Sequence, residues 1–249
     1  MNCIIRFFYI IYQLCIALPI ILLVTILTAL TTSVGSILGN PDVWGYYPGM
    51  IWSRIVCTVL LLPVRRIGLE NIEKGKPYII VSNHQSALDV FLLYGYLGIK
   101  FKWMMKKEIE KIPLVGAACR RAGFIYIDRN SIGSGKGSIA AAEETLARGM
   151  SMIIFPEGTR TGDGKMSRFK KGAFLLAAEL GIPLLPVTIN GAYRAMSRKA
   201  WHVTWFPLSI TVHKPIEVER EDNTDESEIN ARIRRLSDKT AEVIASKLD

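Results

Sequence analysis

Two side chains within residues 82–89 have types and a spacing that could perform acid–base chemistry. The apolar run at residues 78–81 predicts a short buried strand, and the run at residues 90–94 predicts the body of a helix. His84 would then lie in the turn between them, and Asp89 in the first helical turn, where its carboxylate could reach a ring nitrogen. A histidine held by a carboxylate is a general base.

The spacing of Ser86 and Asp89 is also that of a capping box at a helix start. On that interpretation Asp89 only caps the helix and His84 is an ordinary loop histidine, and these residues alone leave both interpretations open. The sequence contains no G-x-S-x-G motif and no cysteine close to His84. If His84 is a base, the simplest hypothesis is that it deprotonates a hydroxyl of the substrate itself.

A second candidate site follows the apolar residues 152–154, where the loop 155–160 reads F-P-E-G-T-R. Loops at strand ends are the usual location of sites in α/β domains. The planar guanidinium of Arg160 is suited to binding a phosphate. The alternative is that Glu157 and Arg160 form an ordinary surface ion pair around a turn.

Residues 123–129 repeat this pattern, because an apolar segment there ends in Asp128 and Arg129. Many other basic residues surround these loops: Lys100, Lys102, Lys106, Lys107, Lys111, Arg120, Arg121, Lys165, Arg168, Lys170 and Lys171. Scattered lysines usually mark a solvated helix face. Basic residues at several separate strand ends favour an anion-binding site instead.

The composition favours an anionic partner and gives no sign of a metal site. The 249 residues are 50% apolar and carry a net charge of +9, which suits a membrane surface, a phosphorylated substrate or nucleic acid. The four cysteines form no C-x-x-C pair, so we interpret them as small apolar residues in a reducing compartment. His202 and His213 have no metal-ligand spacing to His84.

The N-terminal part has the pattern of a membrane anchor. Residues 7–30 carry no charge and would span about 36 Å as a helix, against roughly 30 Å of hydrocarbon. Pro19 allows a kink or a helical hairpin, and the apolar residues 50–62, with Arg54, predict an interfacial helix. We therefore expect residues 1–65 to form an anchor with two helical parts, which either spans the bilayer or embeds in one leaflet. A signal peptide usually has a shorter apolar core.

From residue 66 to 249 the pattern is that of an α/β domain. Strand-like segments lie at 78–82, 123–127, 151–155, 184–189 and 208–213, and helix-like segments at about 87–97, 106–121, 138–148 and 171–180. Their alternation predicts a largely parallel central sheet flanked by helices. A final amphipathic helix is expected at about 226–248, capped by Asp225 with Glu228.

Taken together, the motifs resemble those of the glycerolipid acyltransferases. Residues 83–89 are similar to the family's N-H-x-x-x-x-D block, residues 123–129 to G-x-x-x-I-D-R, residues 155–160 to F-P-E-G-T-R, and residues 182–187 to its proline-containing strand. Order and separations also agree over about residues 66–215. The first and third blocks together are highly specific. The resemblance is closest to bacterial 1-acyl-glycerol-3-phosphate acyltransferases.

The resemblance implies a role for each motif residue. His84 is implied to be the general base on the sn-2 hydroxyl of 1-acyl-glycerol-3-phosphate, oriented by Asp89, and Arg160 to bind the phosphate. The implied substrate-binding residues are Glu157, Gly158, Thr159, Arg160, Arg129 and Lys106. Thr161 stands where many members have serine, a mild departure from the family pattern.

The implied reaction is direct attack of that hydroxyl on an acyl thioester, giving phosphatidic acid. The co-substrate would be acyl-CoA or acyl carrier protein, with no metal and no other cofactor. Backbone N–H groups at the helix start near His84 could stabilise the tetrahedral oxyanion. The implied partners are lysophosphatidic acid and the bilayer, and the implied location is the bacterial inner membrane, with the catalytic domain on the cytoplasmic face.

Three alternatives remain open from the sequence. The first is a sister reaction on glycerol-3-phosphate, another lysophospholipid or an aminolipid. The second is a non-catalytic membrane protein that binds lipid. Nucleic-acid binding through the basic surface is disfavoured, because the N-terminal segment is apolar and no recognition motif is present.

Overall fold

The structure, a computed structural model, describes residues 2–127, 135–220 and 225–249. For residues 135–139 it describes the backbone only. Its strands are β1 (Val64–Ile67), β2 (Ile79–Ser82), β3 (Phe101–Lys106), β4 (Ile125–Ile127), β5 (Ser151–Ile154), β6 (Leu184–Asn190) and β7 (Leu208–Val212). Within this part of the chain they form one sheet in the order β1-β7-β6-β2-β5-β3-β4.

The α-helices precede, alternate with and follow these strands. They are α1 (Cys3–Tyr12), α2 (Leu18–Leu38), α3 (Pro41–Trp44), α4 (Tyr47–Val59), α5 (Leu88–Tyr96), α6 (Val115–Arg121), α7 (Gly135–Ala147), α8 (Gly172–Leu180), α9 (Ala192–Ala195) and α10 (Glu226–Ala245). A π-helical turn, Gln13–Ala17, joins α1 to α2, and 3₁₀ turns lie at Leu69–Asn71 and Lys107–Lys111.

Neighbouring strands run parallel except for β6 and β7, which are antiparallel. The central strands β2, β5 and β6 are buried along their whole length. Strands covered on both faces need apolar residues at every position, which is why their sequences are continuous apolar runs without alternation. The predicted α/β fold with a largely parallel sheet flanked by helices is confirmed.

The N-terminal segment is one continuous helical stretch. Cys3–Leu38 contains 36 residues with a mean hydropathy of 2.6, and only 11% of its apolar window is buried. By length and composition it is able to cross a membrane. Pro19 lies in the first turn of α2 and cannot donate to the carbonyl of Cys15, because its nitrogen carries no hydrogen. The π-helical turn lies at this point, so the predicted interruption widens the helix without reversing it.

The chain reverses after α2, and α4 packs against α5 of the sheet domain. The Arg54 side chain donates to the carbonyl of Gly95 at 2.7 Å, and the Tyr94 hydroxyl donates to the carbonyl of Gly45. A Cβ at Gly49 would lie 2.2 Å from the Tyr94 ring, so this glycine permits the close approach of the two helices. The apolar residues 50–62, predicted as an interfacial helix, therefore also cover the core.

The single helix predicted at 106–121 is wrong. Lys106 ends β3, a 3₁₀ turn follows, and α6 begins only at Val115. Pro113 explains the break, because the residue before a proline is excluded from helical backbone angles, and Ile112 has a ψ of 120°. Phe101 and Trp103 alternate with lysine and methionine, a strand pattern that the apolar-run criterion missed.

The C-terminal helix α10 closes one face of the sheet. The Asp225 side chain accepts a hydrogen bond from the Ser227 N–H at 2.9 Å, as the capping prediction required. Ile233 and Ile244 are buried against the sheet face that α8 also covers. The Thr188 hydroxyl in β6 donates to the carbonyl of Ile244 at 2.8 Å.

Candidate active site

The turn after β2 is fixed to the neighbouring strand by Asn83. Its amide nitrogen donates to the Ile189 carbonyl at 2.9 Å, and its amide oxygen accepts from the Ile189 N–H at 2.8 Å. Asn83 is fully buried, so the side chain replaces two strand hydrogen bonds where β2 ends. His84 consequently leaves the sheet at its carboxyl edge, where ligands bind in open parallel sheets.

His84 and Asp89 form the contact expected of a catalytic pair. The ring Nδ1 lies 2.8 Å from Asp89 Oδ2; the carboxylate is fully buried, and the histidine side chain is 17% exposed. Because a carboxylate only accepts hydrogen bonds, Nδ1 carries the ring proton and Nε2 keeps its lone pair. A base with a free lone pair and partial access to solvent is the result.

Asp89 also caps the helix, so both sequence interpretations describe part of the structure. Its Oδ2 accepts from the N–H groups of Gln85, at 2.7 Å, and Ser86, at 2.8 Å. The Ser86 hydroxyl accepts from the Leu88 N–H instead of completing the box with Asp89. The N–H groups of Gln85 and Ser86 are thus occupied, which removes them as the oxyanion donors expected at this helix start.

The Phe155 ring stacks on one face of the His84 ring. The two ring centroids are 3.9 Å apart and the ring planes differ by 12°. The imidazole is therefore fixed by a hydrogen bond at one edge and by stacking on one face. The sequence motif contained Phe155, but its contact with His84 was not predicted.

Glu157 connects the F-P-E-G-T-R loop to the histidine turn. Its Oε1 accepts from the His84 N–H at 2.6 Å and its Oε2 from the Ser167 N–H at 2.7 Å. Burial raises the pKa of this carboxyl, while the two backbone donors act in the opposite direction. Among the described residues no ion pair joins Glu157 to Arg160, so the surface-pair interpretation does not apply.

Gly158 allows this loop to turn sharply. Its φ is 78°, and an added Cβ would lie 2.9 Å from Lys170 Nζ. The Thr161 N–H donates to the His84 carbonyl at 3.0 Å, which fixes the far end of the loop to the histidine turn. Lys170 was noted in the sequence only as one of many basic residues, and its position over Gly158 was missed.

The side chains of Thr159 and Arg160 are placed where a ligand could meet them. Thr159 is exposed, and its hydroxyl donates to the Arg160 carbonyl at 3.1 Å. Within the described part of the chain nothing pairs with the Arg160 guanidinium. Arg198 Nη1 lies 3.5 Å from both the Thr159 hydroxyl and the Arg160 carbonyl, so a second cation adjoins the loop.

Lys106 and Arg129 are the two remaining residues that were predicted to bind substrate. Lys106 is exposed at the carboxyl end of β3, on the same sheet edge as His84, and its Nζ pairs with Glu108 Oε1 at 2.7 Å. Arg129 lies outside the described residues. No group of His, Cys, Asp or Glu suited to holding a metal occurs among the residues that are described.

Comparisons with known proteins agree with these motifs. The Acyltransferase family model matches residues 63–190. A chloroplastic 1-acyl-sn-glycerol-3-phosphate acyltransferase of Arabidopsis thaliana is 33% identical over 175 residues, which are 68% of this chain and 49% of the relative. The human 1-acyl-sn-glycerol-3-phosphate acyltransferase alpha is 31% identical over 153 residues, which are 61% of this chain and 54% of the relative.

The fold agrees as well. The crystal structure of PlsC, the 1-acyl-sn-glycerophosphate acyltransferase from Thermotoga maritima, has a TM-score of 0.74 at 26% identity and covers 100% of both chains. The chain spans about half the length of the curated relatives it matches. The family match includes the histidine turn, the F-P-E-G-T-R loop and just over half of all residues. The protein belongs to the acyltransferase family.

Proposed function

We propose that the protein transfers a fatty acyl group from an acyl thioester to the sn-2 hydroxyl of 1-acyl-glycerol-3-phosphate, giving phosphatidic acid. One observation carries the proposal: the His84–Asp89 pair, with Nε2 available, adjoins a loop in which the Arg160 guanidinium has no partner among the described residues. A base and a free cation at one sheet edge suit an alcohol attached to a phosphate. The names of the relatives support the same acceptor.

In the proposed mechanism the histidine moves one proton twice. Nε2 of His84 removes the proton of the acceptor hydroxyl as its oxygen attacks the thioester carbonyl. Asp89 stays ionised and stabilises the imidazolium that forms. The tetrahedral intermediate then expels the thiolate, and the imidazolium donates the hydroxyl's proton to that leaving group. No protein nucleophile is needed.

The loop residues are proposed to recognise the acceptor. Arg160 binds the phosphate with its guanidinium, and Thr159 lies beside it. Glu157 and Gly158 act by holding the loop in shape. Lys106 and Arg129 complete the anion pocket, and Lys106 would exchange Glu108 for the phosphate.

The proposal extends to co-substrate, partners and location. The donor is acyl-CoA or acyl carrier protein, without a further cofactor, and no nucleic acid is involved. We place the enzyme in the bacterial inner membrane, with residues 1–65 as the anchor and residues 66–249 as the catalytic domain on the cytoplasmic face. The apolar stretch Cys3–Leu38 supports membrane association.

The test is an acceptor panel with purified protein in detergent. With acyl-CoA or acyl carrier protein thioester, 1-acyl-glycerol-3-phosphate should release free thiol and give phosphatidic acid by mass spectrometry. His84→Ala should abolish turnover while the thermal unfolding midpoint is kept. If the protein prefers glycerol-3-phosphate, another lysophospholipid or an aminolipid, the proposed acceptor is wrong. If no acceptor in the panel leads to release of free thiol, the enzyme assignment is rejected.

Arg160→Ala separates recognition from chemistry in the same assay. Losing a charge-assisted hydrogen bond to a phosphate should raise the acceptor KM by about 10- to 100-fold, with a smaller effect on kcat. Arg235→Ala is the matched control, because that exposed arginine lies in the C-terminal helix α10, outside the basic residues that surround the site loops. An acceptor KM unchanged by Arg160→Ala would remove the phosphate role.

A further inference from the structure

Residues 196–207, which join α9 to β7 and which we term the tryptophan loop, expose two large apolar side chains. Trp201 is 69% exposed and Trp205 is 48% exposed. An indole combines a large apolar surface with one N–H donor, so it is best placed where an apolar phase meets water. Two exposed tryptophans in one short loop indicate a contact surface.

One end of this loop is attached to the candidate active site. The Ser86 hydroxyl, in the turn that carries His84, donates to the Met196 carbonyl at 2.7 Å. Arg198 lies against the F-P-E-G-T-R loop through the Thr159 hydroxyl and the Arg160 carbonyl. The position of the tryptophan loop is therefore linked to the position of both site segments.

The middle of the loop, between the two tryptophans, is attached to the apolar N-terminal helical stretch. Gln13 forms two buried hydrogen bonds with the Val203 backbone, of 2.7 and 2.8 Å. Arg6 Nη2 lies 3.3 Å from His202 Nε2. Phe7, Phe8, Ile11 and Leu14 on the same helical stretch are exposed. The apolar surface of the tryptophan loop thus adjoins that of the segment able to cross a membrane.

The charge of this region also fits a lipid surface. Residues 181–216 contain no aspartate or glutamate. Arg194, Arg198 and Lys199 are exposed in or next to the tryptophan loop. Tryptophan at the headgroup level, together with basic residues facing anionic lipids, is the composition of a membrane-interface contact.

We propose that the tryptophan loop is a second membrane contact, with Trp201 and Trp205 in the headgroup region of the bilayer. It holds the His84 turn and the F-P-E-G-T-R loop at the level of the lipid phosphates. A lipid acceptor then reaches the site from the bilayer without crossing water. The contact itself is independent of the reaction chemistry and is tested without turnover.

The test compares the wild-type chain with the double variant Trp201→Phe, Trp205→Phe. Both are bound to vesicles of phosphatidylglycerol and dibrominated phosphatidylcholine, and fluorescence quenching by the bromolipid and by aqueous iodide is measured. Trp44, Trp52 and Trp103 remain in both proteins, so their contribution is constant. We expect the double variant to lose a bromolipid-quenched component and no iodide-quenched component.

The control variant is Trp103→Phe, which removes a buried indole and should change neither quenched component. If the double variant loses the iodide-quenched component instead, the indoles face water and the proposal is overturned. It is also overturned if the bromolipid component is kept while the mass in detergent, measured by light scattering, falls from dimer to monomer, because the surface is then an interface between copies.

Discussion

Asp89 concentrates three donors on one carboxylate oxygen, namely the His84 ring and the N–H groups of Gln85 and Ser86. Its Oδ1 is buried and has no partner among the described residues. One oxygen therefore serves both the helix cap and the ring. The two functions are separable by a substitution that keeps the oxygen and removes the charge.

Asp89→Asn is that substitution. Its amide oxygen can accept the same three hydrogen bonds, so a pure capping role predicts little change in stability or activity. A charge that stabilises the His84 imidazolium predicts a fall in kcat of about 10²- to 10⁴-fold with the unfolding midpoint nearly kept. Steady-state kinetics and thermal unfolding of the same preparation decide between them, and full activity would leave Asp89 as a cap only.

Glu157 gives a prediction that depends on pH. Glu157→Gln leaves one of two backbone N–H groups, of His84 or Ser167, facing an amide N–H₂, so the variant should be less stable and less active. Burial raises the wild-type pKa, so the folded state binds this proton more tightly than the unfolded state. The free energy that this tighter proton binding adds to folding is present at low pH, and it is lost as pH rises through the raised pKa of Glu157.

The difference in unfolding midpoint between wild type and Glu157→Gln should therefore be largest below pH 4.5, the ordinary pKa of a glutamate, and should narrow toward neutral pH. Thermal unfolding of both proteins across this range measures it. A gap that widens with pH would mean that the carboxylate form is the one that the fold favours.

The sequence located the His84–Asp89 contact because both residues belong to one turn, where strand and helix patterns fix their relative positions. It could not locate the partners of Glu157 or Phe155. Their contacts join the loops that follow β2 and β5, at the carboxyl ends of these neighbouring strands. The apolar pattern of a strand does not show which other strand lies beside it. The geometry of Lys106 was missed for a related reason, because its strand was taken as helix.

At the scale of elements, β3 is attached to the short helix α3 by an ion pair whose lysine is buried. Lys102 in β3 is 2% exposed and its Nζ lies 2.8 Å from Asp42 Oδ1, whereas Asp42 is 27% exposed. Lys102 also donates to the carbonyls of Ala122 and Pro41, at 2.6 and 3.1 Å. Desolvation lowers the pKa of Lys102, and the adjacent carboxylate opposes that shift.

The two partners should not be equally sensitive to mutation. Asp42→Ala leaves a buried ammonium without its counter-ion and should lower the free energy of unfolding by about 3 kcal/mol, the low end for buried pairs because Asp42 is partly exposed. Lys102→Met leaves only an accessible carboxylate and two carbonyls, and should cost about 1 kcal/mol. Denaturant unfolding in detergent gives the order, and a larger loss for Lys102→Met would contradict it.

The strands β1 and β3 were absent from the prediction although β2, β4, β5, β6 and β7 were present. The central strands are buried on both faces and their apolar runs are unambiguous. β1 is a short edge strand with two arginines, and β3 carries the buried Lys102, so neither has an apolar run. Edge position and a buried charge are consequences of tertiary packing that local hydropathy does not report.

At the scale of the whole molecule, alternation along the chain was sufficient to predict the α/β class. It was not sufficient to predict that the N-terminal helical stretch is bonded to the sheet domain through Gln13. The predicted boundary at residue 65 falls inside β1, which pairs with β7. Gln13, in the π-helical turn after α1, is bonded to Val203, and the Tyr9 hydroxyl of α1 donates to the carbonyl of Leu60 at the end of α4. The N-terminal helical stretch is therefore part of the folded unit.

Gln13→Leu tests whether this attachment matters for the proposed acyl transfer. The change leaves the buried N–H and carbonyl of Val203 without Gln13, which should lower the free energy of unfolding by about 1–3 kcal/mol. If the N-terminal helix is the proposed anchor, it stays in the membrane while the tryptophan loop is released, so turnover of acceptor in vesicles should fall more than turnover of a short-chain acceptor in detergent. Thr31→Ala is the control, since that exposed hydroxyl bonds only to carbonyls of its own helix. Equal losses on both acceptors would show that Gln13 supports folding alone and does not position the site at the bilayer.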